Sequence, residues 1–151
     1  MSPPEELPRR KTLPHDVPPW VQAGSIFFVT VCCQERGINQ LCQPEASVAV
    51  FESVRHRHER GDWYARLVLL MPDHLHALLA FPSDRGMKTA VRLWKGYVAR
   101  YHGIRWQRDF FDHRIRSAAS LDEKAHYIRQ NPVRAGLVAR QEEWAHVWEP
   151  V

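Results

Sequence analysis

The chain has 151 residues, 44% of them hydrophobic and 25% charged, so it is long enough for one domain with a real core. Its net charge of +4 favours an anionic partner such as nucleic acid without requiring one. Three cysteines without a CxxC spacing argue against a zinc or disulfide scaffold, and no apolar run approaches the roughly 18 residues of a membrane span. We therefore expect a cytoplasmic protein with reduced thiols and no membrane association.

The first 20 residues differ in composition from the rest of the chain. They are rich in proline and carry the basic triplet Arg9, Arg10 and Lys11. Proline density disfavours regular structure, so residues 1–20 are predicted to form a mobile arm rather than a signal peptide. The basic triplet could touch phosphate, although a solvated tail explains it equally. A single domain is predicted over residues 21–151.

The pattern of apolar residues after the arm predicts alternating strands and helices. A β-branched and aromatic run opens the domain, and Val50, Phe51 and Val54 recur at helical spacing before Gly61. The predicted elements are a strand over 25–33, a helix over 44–60, strands over 62–71 and 74–81, a helix over 87–102 and a strand over 110–115. The order β-α-β-β-α-β is typical of a ferredoxin-like α+β sandwich.

The helix predicted over 87–102 has two distinct faces. Its predicted core stripe is Met87, Val91, Trp94, Val98 and Tyr101. Another face carries the basic residues Lys88, Arg92 and Lys95. Such a ridge could follow a phosphate backbone, although a solvated helix face is at least as common.

The C-terminal part of the chain predicts a third helix. Ser120 with Glu123 three residues later forms a capping box, which starts a helix that runs to about residue 130. Pro132 disfavours helical geometry at Asn131 and is predicted to end it there, with a short second helix running on towards Gly136. The tail from residue 141, with Trp144 and Trp148, is predicted to pack back on the domain.

Two His-x-His pairs stand in different settings. His74 and His76 lie on a predicted strand, where residues two apart point to the same face and could bind one metal ion. Two strand histidines with ordinary hydrogen bonds are an equally good reading of that pair alone. His56 and His58 lie on a predicted helix, where residues two apart diverge by roughly 200° and cannot share an ion. This second pair is predicted to be a solvated, basic helix end.

Tyr127 shares a helix face with the amides at 130 and 131, whereas the apolar residues Leu121, Ala125 and Ile128 form a different stripe. A tyrosine beside an amide could complete a site with the two strand histidines. Taken singly, Tyr127 could equally be a packing residue and Asn131 a helix cap.

Three motifs resemble those of a known family. MPDHLHALLAF at 71–81 resembles the His-hydrophobic-His motif of the HUH single-tyrosine transposases. WQRDFFDHRIR and YIRQNPVRAGLV, which follow in that order, resemble the two later motifs of the REP-associated branch of these proteins. The resemblance runs from about residue 26 to residue 138, and the combination of the three motifs is specific.

The resemblance implies a site. His74 and His76 would bind a divalent metal, Mg²⁺ or Mn²⁺, and Tyr127 would be the nucleophile. Asn131, one helical turn after the tyrosine, would be a further ligand, with Gln130 as the adjacent alternative. His113, within the DHRIR motif, is assigned a structural role by default.

The resemblance also implies a function. The chain would be a metal-dependent endonuclease and strand transferase for single-stranded DNA, acting on hairpin-forming repetitive extragenic palindromes through a 5′-phosphotyrosine. It would work as a monomer or as a homodimer that exchanges the tyrosine helix. The candidate DNA contacts are Arg85, Lys88, Arg92, Lys95, Arg114 and Arg116.

Three other functions share features with this sequence. The main alternative is a domesticated relative that binds palindromic or single-stranded DNA without cutting it. A cupin-type oxygenase also uses a strand His-x-His, but its fold needs many short strands instead of long amphipathic helices. A two-histidine phosphoesterase would need a second strand His motif, and the other His-x-His lies on a helix.

Overall fold

A computed structural model describes residues 17–21, 25–82 and 86–151 of the chain. Most of the predicted arm and the candidate DNA contact Arg85 lie outside these ranges. A short 3-10 helix precedes the last strand. The elements are β1 (Ile26–Cys32), α1 (Pro44–Arg60), β2 (Tyr64–Met71), β3 (His74–Ala80), α2 (Met87–His102), β4 (Phe111–Arg114), α3 (Ala118–Arg134), the 3-10 helix (Gln141–Glu143) and β5 (Val147–Trp148).

The strands form one antiparallel sheet in the order β4-β1-β3-β2-β5. The first four strands and the helices between them have the ferredoxin-like topology, and this prediction is confirmed. Helices α1 and α2 cover one face of the sheet, where Val54 and Trp94 join the larger core cluster. Helix α3 covers the other face, where Ile128 packs with Leu67 and Leu78 in a second cluster. The central strands of the sheet are therefore buried on both faces, whereas the edge strand β4 is exposed.

The bounds predicted for α1 and α2 are those observed. Each helix ends at a glycine in the left-handed conformation, Gly61 with φ of 88° and Gly103 with φ of 71°. Glycine adopts this conformation without a steric penalty, so both residues are strong local stop signals.

The core stripe predicted on α2 is correct except at its last residue. Val91, Trp94 and Val98 are buried, and the Trp94 indole donates to the Ser53 hydroxyl at 2.8 Å. Tyr101 is 62% exposed, so its assignment to the core was wrong. The chain leaves the helix directly afterwards, and buried Trp106 fills the space at that end of the core.

Helix α3 starts earlier and runs further than predicted. Ser117, and not Ser120, is the N-cap: its hydroxyl accepts the Ser120 amide at 3.1 Å. Pro132 lies inside the helix, so the predicted break at Asn131 was wrong. In the last turn a proline removes only the bond to the Ile128 carbonyl, and the buried Pro132 ring packs at this end of the helix.

The C-terminal tail packs on the domain as predicted. The Trp144 indole donates to the Leu70 carbonyl at 2.9 Å, and β5 pairs with β2 at the sheet edge. A strand of two residues has too little pattern to be predicted from sequence. In the described ranges no helix combines the length and apolar character needed to cross a bilayer.

Candidate functional site

The histidine pair opens strand β3, directly after the turn at Pro72 and Asp73. Leu75 and Ala77 belong to the core beneath α1 and α2, so the alternating residues His74 and His76 point to the α3 face. Their ring centroids are 5.0 Å apart. The prediction that the two histidines share a face is confirmed.

Each imidazole is held through its Nδ1 atom. Nδ1 of His76 lies 2.9 Å from the Thr30 hydroxyl, and Nδ1 of His74 lies 2.7 Å from the Asp73 carboxylate. Histidines that bind metals are commonly oriented in this way through their second nitrogen. The arrangement leaves Nε2 of each ring for another partner.

Asp73 ties this strand end to the loop after β1. Its carboxylate accepts from the Arg36 guanidinium at 2.9 Å and from the Gly37 amide at 2.7 Å. Burial alone would raise the pKa of the Asp73 carboxyl, but the hydrogen bonds from Arg36, His74 and Gly37 hold it well below its usual range. Asp73 is therefore an ionised acceptor for His74.

His76 is a neutral imidazole at physiological pH. Burial, reinforced by the nearby His74 and by the charge of Arg134, lowers the pKa of His76 to about 3. A neutral imidazole is the form that binds a metal ion. The chemistry of this side chain thus fits a ligand role.

Helix α3 has one stripe for the core and another for the site. The core stripe comprises Leu121, Ala125, Ile128 and Pro132. The second stripe repeats at spacings of three, four and three residues, so its members share one face. Its members are Lys124, Tyr127, Asn131 and Arg134.

Tyr127 meets the histidine pair within one chain. Its ring centroid lies 6.4 Å from that of His76 and 6.2 Å from that of Phe28 on β1. Tyr127 is 46% exposed, so part of it remains open to solvent beside the site. A substrate can therefore approach the tyrosine from outside.

Two cations flank the tyrosine ring, and sequence reasoning did not identify either. Nζ of Lys124 lies 5.4 Å from the Tyr127 ring centroid, and the Arg134 guanidinium carbon lies 4.2 Å from it. Arg134 also donates to the Tyr127 carbonyl at 2.9 Å. The sequence signal that could have identified Lys124 and Arg134 is their spacing on the helix, three residues before and seven residues after Tyr127.

The two candidate amides have different surroundings. The Gln130 amide nitrogen lies 2.6 Å from the side-chain oxygen of Gln141 and so engages the C-terminal segment. Asn131 lies half-buried on the stripe of Tyr127. His113 is exposed on β4 opposite Phe28, on the site face of the sheet and outside the core.

Lys95 is not available to DNA, which corrects its prediction as a phosphate contact. It is buried, and its ammonium donates to the carbonyls of Gln107 at 2.9 Å and Arg108 at 3.0 Å. Burial lowers the pKa of Lys95. The side chain instead anchors the loop that leads into β4.

Three of the other predicted DNA contacts, Lys88, Arg92 and Arg114, lie on the side of the sheet opposite the tyrosine. Lys88 and Arg92 line a groove of about 300 Å³ on the α2 side of the sheet. Arg114 pairs with Phe27 in the sheet register, and Phe27 packs against the core on that same side. Arg116 is exposed just after β4. The cations beside the tyrosine are instead those of α3.

The prediction that the second His-x-His pair is solvated is only partly correct. His56 is exposed, but His58 accepts the Ala65 amide at 3.0 Å and packs against Tyr64 and Trp148. Burial lowers the pKa of His58. The expectation of a solvated pair was therefore wrong for His58.

No cluster of three His, Cys, Asp or Glu side chains with the spacing of a metal site occurs among residues 17–21, 25–82 and 86–151. A metal ion on His74 and His76 would therefore need an amide, water or substrate oxygen to complete its coordination.

The fold and the site together define a class: a ferredoxin-like α+β domain with a strand histidine pair and a helical tyrosine on one face.

Comparison with known proteins adds relatives to this class. No protein-family model matches the chain. A Haemophilus influenzae protein provisionally named a REP-associated tyrosine transposase is 25% identical, and the match covers 82% of this chain and 78% of that protein. The REP-associated tyrosine transposase of Escherichia coli is 24% identical, with 80% and 74% covered.

Two solved structures share the fold. One, described as a REP-associated tyrosine transposase bound to a REP hairpin, has a TM-score of 0.72 at 21% identity, with 87% of this chain and 81% of that chain covered. The other, provisionally named a transposase of Deinococcus radiodurans, has a TM-score of 0.51 at 17% identity, with 70% and 88% covered. The resemblance to the REP-associated tyrosine transposases that the motifs predict is confirmed.

Proposed function

We propose that this protein is a transposase-type enzyme that nicks and rejoins single-stranded DNA beside a hairpin, with Tyr127 as its nucleophile. The observation that carries the proposal is the 6.4 Å separation of the Tyr127 and His76 ring centroids within one chain. Two observations support hairpin DNA as the substrate. The relatives are named REP-associated tyrosine transposases, one of them provisionally, and the solved structure with a TM-score of 0.72 is bound to a REP hairpin.

A divalent ion, Mg²⁺ or Mn²⁺, is part of the proposal. Nε2 of His74, Nε2 of His76 and the amide oxygen of Asn131 would hold it, because both Nδ1 atoms already have partners. When bound, such an ion supplies Lewis acidity to a non-bridging oxygen of the scissile phosphate. Asn131 is preferred to Gln130, whose side chain engages Gln141.

In the proposed reaction the Tyr127 hydroxyl oxygen attacks the phosphorus. A bond from this oxygen to phosphorus forms while the bond from phosphorus to the 3′ oxygen breaks, and the phenol proton is lost as the 3′ oxygen gains one. The products are a 5′-phosphotyrosyl link and a free 3′-hydroxyl. Because the link is itself a phosphodiester, a 3′-hydroxyl can reverse the step and reseal the strand.

The cations of α3 support this role for Tyr127. The Arg134 guanidinium lies over the ring and donates a hydrogen bond to the Tyr127 backbone carbonyl, which holds the cation beside the phenol. Lys124 and Arg134 also place positive charge where the anionic phosphate would lie. Lys88, Arg92, Arg114 and Arg116 remain proposed contacts for other phosphates of the hairpin, as does Arg85, which lies outside the described residues.

The decisive experiment replaces Tyr127 with phenylalanine. Labelled hairpin DNA with single-stranded flanks is incubated with Mn²⁺, and the covalent protein–DNA adduct is resolved on a denaturing gel. Tyr127→Phe is expected to lose both cleavage and adduct, because no oxygen remains to attack, while hairpin binding persists. Cleavage by this variant at the unmodified rate would show that Tyr127 is not the nucleophile.

The matched control is Tyr101→Phe, which removes the hydroxyl of another exposed tyrosine, on α2. It is expected to cleave normally, because Tyr101 lies on the layer opposite the site. Hairpin binding by the unmodified protein without cleavage, in Mn²⁺ or Mg²⁺, would favour the alternative of a non-cleaving DNA-binding relative.

A further inference from the structure

The edge strand β4 exposes an aromatic side chain next to the site. All four of its residues are exposed, and Phe111 is 69% exposed, more than any other aromatic side chain in the described part of the chain. A phenylalanine on an edge strand has no polar group to gain from contact with water. Single exposed apolar residues are common on protein surfaces, so the location of Phe111 relative to the site decides what it can do.

The sheet register places Phe111 on the face of the histidine pair. Phe111 is the direct partner of Thr30 on β1, and His113 is the partner of Phe28. Directly opposed residues in an antiparallel pair point to the same face, with their Cβ atoms about 5 Å apart. Thr30 is hydrogen-bonded to His76, so Phe111 is separated from that ring by a single side chain.

The neighbouring phenylalanine behaves differently. Phe110 packs against the core on the α2 side, where Nζ of Lys95 lies 5.8 Å from its ring centroid. One of two adjacent phenylalanines is thus used for packing, while the next points to the site face and stays exposed. Phe111 is not a core residue that the fold has failed to cover.

We propose that Phe111 is a base-stacking residue that holds an unpaired nucleobase of single-stranded DNA beside Tyr127. This inference rests on the proposed function and names a residue that would contact an unpaired base of its substrate. A free aromatic face suits unpaired bases, because every base presents a π-face once it is unstacked from a duplex. Lys124, whose Nζ lies 5.1 Å from the Phe28 ring centroid, supplies positive charge on the same face for the backbone phosphate.

The test measures binding without cleavage. All proteins carry Tyr127→Phe, and the probe is a hairpin oligonucleotide with a mixed-sequence single-stranded tail at each end. An abasic site is placed at one tail position at a time, and affinity is measured by fluorescence anisotropy in EDTA. Because no cleavage is required, the result does not depend on whether Tyr127 is the nucleophile.

We expect one tail position at which loss of the base weakens binding about 5- to 100-fold. Phe111→Leu, which keeps apolar volume but lacks the aromatic face, is expected to weaken binding to the intact tail by a similar factor. It is also expected to be insensitive to the abasic site at that position. This coupling between one side chain and one base is the signature of stacking.

Two controls separate stacking from a general effect. Tyr101→Leu removes a similarly exposed aromatic ring from the opposite layer and is expected to leave affinity unchanged. A blunt hairpin without tails is expected to bind the Phe111→Leu variant as well as the protein that retains Phe111. Equal losses on blunt and tailed hairpins, or no coupling at any tail position, would overturn the proposal.

Discussion

At the scale of single residues, Thr30 and Asp73 determine how the two imidazoles are presented. Neither side chain is a proposed metal ligand. Each one forms a hydrogen bond with the Nδ1 atom of one histidine and so orients the Nε2 atom of that histidine. Thr30 lies on β1 and pairs directly with His76 across the ladder. The sheet register therefore orients the site.

Replacing Thr30 with valine is expected to weaken metal binding. Valine keeps the shape and the strand preference of threonine but leaves Nδ1 of His76 without its hydroxyl partner, which typically costs 10- to 100-fold in metal affinity. The measurement is an isothermal titration of the metal-free protein with Mn²⁺. Thr30→Ser, which retains the hydroxyl, is the control, and equal affinity of the valine variant and the unmodified protein would contradict the role given to Thr30.

At the scale of elements, α3 serves the core and the site at once. One of its stripes packs Ile128 against the sheet, while the other presents Tyr127 and Arg134. The two stripes are offset by one residue, so any rotation of the helix that moves one also moves the other. The stability of α3 is therefore a condition for the geometry of the site.

The capping of α3 can be tested with two serines. Ser117→Ala is expected to lower the free energy of unfolding by about 1 kcal/mol, because the Ser120 amide loses its side-chain acceptor. Ser120→Ala is expected to leave stability unchanged or raise it by a few tenths of a kcal/mol, since Ser120 is inside the helix and alanine has the higher helix propensity. Urea unfolding measures the free energy of unfolding of both variants. A larger loss for Ser120→Ala than for Ser117→Ala would support the capping box predicted from the sequence, with Ser120 as the N-cap.

At the scale of the whole molecule, buried titratable groups limit the pH range of stability. Burial lowers the pKa of His58, His76 and His146 and raises the pKa of Cys33 and Cys42 to about 12. Below the ordinary histidine value of 6.5 the unfolded chain binds protons that the folded chain does not. Above the ordinary thiol value of 9.0 the unfolded chain releases protons that the folded chain retains.

Both effects favour the unfolded chain, so maximal stability is expected between pH 6.5 and 9.0. Between pH 6.5 and about 3, His76 alone would lower the free energy of unfolding by roughly 1.4 kcal/mol per pH unit. Asp73, whose folded pKa is depressed, adds a further loss only below its ordinary value of 3.8. Urea unfolding of the metal-free protein at pH 7.5 and 5.5 measures the effect, and equal stability at the two values would refute it.

The features that depend on local pattern were predictable from the amino-acid sequence. Helices α1 and α2 have the predicted bounds, because apolar spacing defines their buried faces and Gly61 and Gly103 end them through left-handed backbone conformations. The shared face of His74 and His76 follows from the period of a strand and needs no further context. The order of these elements was sufficient for the ferredoxin-like topology.

Which side chains meet depends on how the helices and loops pack against the sheet. Pro132 stays helical because it lies in the last turn of α3, which packs on the domain. Lys95 is buried because its ammonium donates to backbone carbonyls of a loop more than ten residues away in the chain. The meeting of Tyr127 with His76 depends on α3 covering one face of the sheet while α2 covers the other. These are contacts between residues distant in the chain, and local spacing carries no information about them.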